Sequence, residues 1–214
     1  MIPTRQNRAL TLMLAALAWF GVVLQGVLTV TSAMANGKTA VAGLATFLSY
    51  FTVLTNLLIC LTLTFSLAAP SSSLGKWSAR PRVVAGIAAS ITFVALSYHL
   101  LLRNTWNPQG AQWLADVLLH YVVPALYVLH WWLTCAKNGL RWTHPLLWSA
   151  YPTLYLVYSL IRGRIIGTYP YPFIDAGSLG YGRLLLNALG LLLVFIVLGL
   201  SFVALGRARQ GARA

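Results

Sequence analysis

The 214-residue chain is 59% hydrophobic and only 8% charged, where a soluble domain carries about a quarter charged residues. Most of its surface must therefore face lipid, and its length leaves no room for a separate soluble domain. A net charge of +13 comes from 15 Lys and Arg against Asp116 and Asp175 alone; these basic residues fall between apolar segments, where they set topology and meet anionic headgroups, which argues against a nucleic-acid partner.

About 20 apolar residues cross a bilayer core. Six stretches meet that length in chain order: residues 10–31, 43–69, 83–102, 113–136, 146–161 and 184–205. The expected fold is all-α, a single domain over residues 1–214 built as a polytopic membrane bundle of six transmembrane helices. Arg5 and Arg8 before the first stretch and Ala33-Met34-Ala35 after it resemble a signal peptide. The apolar run, at about 22 residues, exceeds the usual 7–15-residue signal core and reads as a span. Arg5, Arg8, Lys76, Arg80, Arg82, Lys137, Arg141, Arg207, Arg209 and Arg213 fall on one side, against Lys38, Arg103, Arg162, Arg164 and Arg183 on the other. The positive-inside rule then puts both termini in the cytoplasm. Cys60 and Cys135 lie inside apolar stretches without CxxC spacing and read as small buried hydrophobes.

In the second stretch, Ser49, Thr52, Thr55 and Asn56 stand at i, i+3, i+6 and i+7, a polar stripe on a Leu-rich helix. A threonine hydroxyl near a base can act as a nucleophile, and the same residues also glue membrane helices together. The third stretch ends with Tyr98-His99 before Arg103. His99 either joins an outer site or sits at the interface.

The fourth stretch carries Asp116-x-x-x-His120-x-x-x-Pro124. The spacing stacks acid and imidazole on one helical face, and ionisable groups at membrane depth are a functional hypothesis by default. Pro124 has no N–H, so the His120 carbonyl is expected to lose its helical donor and a kink to open beside the ring. Asp116 can orient His120 as a general base, or the pair can be a structural hydrogen bond between helices. At 1.5 Å per residue, Thr52 lies roughly 14 Å and His120 roughly 10 Å below the outer ends of their spans, at matching depth. His99, His120 and Asp116 do not have the spacing of a metal or haem site, and neither metal nor cofactor is expected.

The outer loop at 167–175 contains Tyr169 and Tyr171, each followed by proline, with Arg162 and Arg164 nearby. It reads as an interface anchor or as a lid, with Arg162 available to hold a carboxylate.

Taken together, Tyr50-Phe51-Thr52-Val53-Leu54-Thr55-Asn56, Tyr98-His99-Leu100-Leu101-Leu102-Arg103, the Asp116 to Pro124 segment and the 169–175 loop resemble one family. These are the small bacterial six-span membrane proteins called Pr-six-Pr, similar to the animal androgen-induced and androgen-dependent tissue-factor-pathway-inhibitor-regulating proteins. The resemblance covers nearly the whole chain from the second span on. It implies a multi-pass protein of the inner (cytoplasmic) membrane that hydrolyses esters of the fatty-acid ester class with a membrane-embedded Thr and His. The family pattern carries over to His120 and to Thr52, with Thr55 a competitor because the following polar residue is offset by one. Asp116 departs from the animal proteins, where an amide is expected. The expected catalytic residues are Thr52, His120 and Asp116. Thr55, Asn56, His99, Tyr169, Tyr171 and Arg162 are expected to bind a lipid-like substrate, with membrane lipids as the other partners. The rival is a small transporter or proton-linked carrier using Asp116 and His120 as a relay; the small bundle and the lack of an inverted repeat count against it.

Overall fold

Proline and serine punctuation, more than hydropathy, decides where the helices of this chain break. The computed structural model describes residues 5–134, 136 and 139–211, and the side chains of residues 8–134, 136 and 139–209 among them. Cys135, Lys137 and Arg213, and the side chain of Arg5, lie outside the described residues. No strand occurs among the described residues, and the elements are helices throughout.

The first helix, α1 (Arg5–Ala35), buries Leu14, Ala18 and Val22, one residue per turn, and leaves Phe20, Val23 and Val27 exposed. The expected second span is two helices, α2 (Ala40–Phe47) and α3 (Phe51–Ala68). The break falls where Ser49 donates its hydroxyl to Thr46 O at 2.6 Å and Tyr50 turns extended (φ −90°, ψ 131°). A serine that bonds the preceding turn competes with continuation of the helix. Gly43 permits α2 to lie against α1, since a Cβ there would come 2.9 Å from Val30 Cα.

A short α4 (Ser73–Ser78), N-capped by Ser72, leads to α5 (Pro81–Ser97) with Pro81 in its first turn. From Val84 to Ile91 every residue of α5 is buried, and small side chains at Ala85, Gly86, Ala88, Ala89 and Ser90 let neighbours approach. It is the central helix. A π turn, Tyr98–Leu102, extends it. The expected fourth span is α6 (Gly110–Val117), a second π turn (Leu118–Val122) and α7 (Val123–Thr134). Then follow α8 (His144–Trp148), α9 (Ala150–Ile166), a 3-10 turn (Pro172–Ile174) and α10 (Ala176–Gly211), the last interrupted at Gly180 (φ 70°, ψ 158°).

Among the described residues five helical stretches are long and apolar enough to cross a membrane: Arg8–Ala35, Phe51–Ala68, Pro81–Leu102, Gly110–Thr134 and Ala176–Arg209. The expected span at 146–161 is not among them, because α9 by itself is 17 residues long and carries Arg162 and Arg164. Leu186, Leu193 and Val197 of α10 are more than half exposed. Such outward apolar surface suits lipid, not water, and marks a membrane protein.

Candidate functional site

Thr52 is the second residue of α3, not a mid-helix residue. The break before α3 leaves first-turn N–H groups without helical partners. Tyr171, from the 167–175 loop, meets one of them: its hydroxyl accepts from Thr52 N at 3.3 Å and lies 3.4 Å from Thr52 Oγ1. Burial pushes the Tyr171 phenol above its ordinary range, opposed in part by these bonds from Thr52, so it stays a neutral partner. Thr52 is 8% exposed and lines a cavity.

That cavity, of roughly 290 Å³, is lined by Phe51, Phe93, Val94, Leu156, Phe173, Ile174 and Leu189 among apolar residues, with Thr52, Ser97, Tyr98, Thr153, Tyr155 and Tyr171 also in its wall. A largely apolar cavity with a few polar residues in its wall is the pattern of a small-ligand site.

Tyr98 connects the cavity to the ionisable pair. Its hydroxyl donates to Asp116 Oδ2 at 2.6 Å and accepts from Trp106 Nε1 at 3.3 Å, and its ring stacks on His120 with centroids 3.8 Å apart. His120 Nδ1 lies 3.0 Å from Asp116 O and 3.1 Å from Asp116 Oδ1. Its N–H is aimed at the backbone oxygen, so Oδ1 contributes charge proximity without an aligned hydrogen bond. A carbonyl oxygen only accepts, which assigns the proton to Nδ1 and leaves Nε2 as the basic nitrogen. The expected pairing of Asp116 with His120 is present.

Pro124 acts as expected on the helix but on a different carbonyl. In the π turn, Val123 N reaches back to Leu118 O, so in this register the donor missing at Pro124 is the one Leu119 O would receive. Asn56 supplies it: Nδ2 donates to Leu119 O at 3.3 Å and to Thr52 O at 2.9 Å. One buried amide thus ties the backbone at Thr52 to the backbone beside His120, and α3 and the His120 turn are neighbours. The two side chains share no hydrogen bond; Thr52 Oγ1 meets Tyr171.

The other expected site residues separate. Thr55 is fully buried, donates to Phe51 O at 2.7 Å, and therefore accepts from Tyr151 OH at 3.0 Å. Its only proton is committed to the backbone, the usual role of a threonine inside a helix. His99 faces away from the cavity, between Tyr121 OH (3.3 Å) and Arg103 Nη1 (3.1 Å). Tyr169 is not in the cavity wall; its ring seats on Gly163, where any Cβ would overlap it. Arg162 donates to Thr168 O at 3.1 Å and ties down the loop. Nothing in the sequence pattern marks Tyr98 as a site residue. A hydroxyl at membrane depth needs a partner, and Asp116 is the one acid available within the spans.

Among the described residues no three His, Cys, Asp or Glu side chains gather as metal ligands. No protein-family model, no curated protein and no solved structure matches the chain.

Proposed function

We propose that the protein is a six-span intramembrane hydrolase of the inner membrane, both termini cytoplasmic, that cleaves ester bonds of lipid-like molecules with Thr52 as nucleophile and His120 as base. The observation that carries this reading is the cavity that Thr52 and Tyr98 both line, Tyr98 being the residue stacked on His120 and bonded to Asp116, while His120 itself stands behind Tyr98 rather than in the wall. The resemblance to the Pr-six-Pr proteins points the same way. A sixth span is supported by continuity between α8 and α9. Ser149 keeps helical angles (φ −64°, ψ −16°), Ser149 N donates to Pro145 O and Thr153 N to Ser149 O, so residues 144–166 form a rod roughly 34 Å long. That length suffices for a core of about 30 Å.

In the reaction, the ester enters the cavity and displaces the 3.4 Å contact between Thr52 Oγ1 and Tyr171. Catalytic hydrogen bonds in such sites commonly tighten only with substrate. Thr52 Oγ1 attacks the acyl carbon as its proton passes to His120 Nε2. The negative charge on the carbonyl oxygen faces the positive end of α3. The tetrahedral intermediate collapses, the C–O bond to the alcohol breaks, and the leaving oxygen takes the proton back from His120. Water then attacks the acyl-Thr52 ester, losing a proton to the same nitrogen, and releases the acid with Thr52 restored. Asp116 holds the imidazole in the Nδ1–H form and stabilises its charged state.

Hydrolysis of p-nitrophenyl esters of graded acyl length by the purified protein in neutral micelles tests this. Turnover is expected, lower by about 10²–10⁴-fold in Thr52→Ala and His120→Ala, and within a few-fold of wild type in Thr55→Ala. Turnover unaffected by Thr52→Ala overturns the reading; proton flux in liposomes without turnover, abolished by Asp116→Asn, favours the carrier.

A further inference from the structure

At the other end of α5 from Tyr98, a second cavity of roughly 430 Å³ is lined by Arg80, Pro81, Arg82, Gly139, Arg141 and His144. Its walls are held in place. Arg141 N donates to His144 Nδ1 at 3.2 Å and His144 N to Arg141 O at 3.0 Å, so the two side chains belong to one closed turn. The Trp148 ring packs on Gly86, where a Cβ would come within 2.8 Å, and this fixes α8 against α5.

Three arginines, Arg80, Arg82 and Arg141, line it, and two of them lie close enough to act on His144. Of the two acids in the chain, Asp116 is engaged by Tyr98 and His120, and Asp175 caps α10 by accepting from Gly177 N and Ser178 N. The cavity also faces the N-terminus of α5, whose first turn contains no acid, so the backbone adds positive potential. Burial first, and then Arg82 and Arg141, hold His144 below the ordinary histidine range. Trp77 and Trp142 flank the region and are exposed, as aromatic side chains are at headgroup depth. Positive charge this concentrated, with both Asp side chains engaged elsewhere, calls for an external anion, and arginine forks match phosphate oxygens.

We infer that this cavity binds a phosphate group, presented by the headgroup of an anionic phospholipid or as free phosphate. The site is independent of the ester-hydrolysing reading, being built from different residues at the opposite end of α5.

The test melts the intact protein in neutral detergent with inorganic phosphate at constant ionic strength, and with short-chain phosphatidylglycerol against phosphatidylcholine. Native mass spectrometry reads lipid retention in parallel. Phosphate or phosphatidylglycerol is expected to raise Tm saturably, and phosphatidylcholine is not. Apparent affinity is expected to fall by about tenfold or more in Arg82→Gln/Arg141→Gln, while Lys38→Gln, which removes a charge elsewhere, binds as wild type. Should the double glutamine variant not fold, Arg82→Lys/Arg141→Lys keeps the charge without the fork and is expected to bind several-fold more weakly. Phosphate that competes with the lipid supports one site open to both sources, and retention of the lipid despite saturating phosphate supports the headgroup as the ligand. No saturable response to either, an unchanged response in the arginine variants, or an equal loss in Lys38→Gln overturns the inference.

Discussion

The ring of Tyr98 lies 3.8 Å from that of His120, centroid to centroid and 16° from parallel, while its hydroxyl donates to Asp116 at 2.6 Å. One side chain therefore holds both members of the ionisable pair and forms part of the cavity wall. Tyr98→Phe keeps the stack and removes the bond, leaving a buried carboxylate oxygen without its donor. A loss of about 1–3 kcal/mol in stability is expected, read by denaturation in micelles, with turnover falling more than binding because the carboxylate beside His120 loses the donor that fixes it. Unchanged stability and turnover in Tyr98→Phe contradict this role.

Asn56 and Pro124 should be coupled. Asn56→Leu removes the donor to Leu119 O and is expected to cost about 1–3 kcal/mol. In a Pro124→Ala background the restored N–H competes for the same carbonyl region, so the loss should shrink by about 1 kcal/mol. A double-mutant cycle on the unfolding free energy measures this coupling; strict additivity counts against the account of the π turn.

Gly163 is the seat of Tyr169. Gly163→Ala gains up to about 1 kcal/mol of helix propensity but evicts the ring, and with it the anchoring of the 167–175 loop that carries Tyr171 to Thr52. Faster limited proteolysis within 167–175 is expected, together with reduced turnover, at little change in global stability. Cleavage as slow as in wild type shows that the ring does not anchor the loop.

His144 sets a pH dependence of known sign. Its folded pKa lies below the ordinary value, so the unfolded chain binds the proton more tightly and stability falls as pH drops through about 6.5. His144→Asn keeps an acceptor for Arg141 N–H and removes the titration. Relative to wild type, the variant should gain stability steadily as pH is lowered from 7.5 to 5.5; parallel profiles contradict the shift.

Much of this was legible in the sequence, and the parts that were not share a cause. Asp116 and His120 lie side by side because four residues of helix put them on one face, which spacing alone shows, whereas the aligned bond of the imidazole to the Asp116 backbone carbonyl is seen only in the structure. Thr52 and Thr55 look alike in the sequence, and it takes the contacts with Phe51 and Tyr151 to see that Thr55 spends its proton on the backbone. The break between α2 and α3 hides in an unbroken apolar run because the stabilising donor and acceptor, Ser49 and Tyr171, act through hydrogen bonds that hydropathy does not register. The π turn before Pro124 depends on Asn56, 63 residues away along the chain from Leu119. The expected span at 146–161 is diluted by tyrosines and bounded by arginines, and among the described residues it is not one of the stretches long and apolar enough to cross a membrane.

The most direct measurement is site mapping by mass spectrometry of the intact protein after reaction with a fluorophosphonate probe. The expected result is a single adduct on Thr52, absent in Thr52→Ala, strongly slowed in His120→Ala and retained in Thr55→Ala. An adduct on Thr55, or labelling that survives Thr52→Ala unchanged, contradicts a Thr52 nucleophile served by His120.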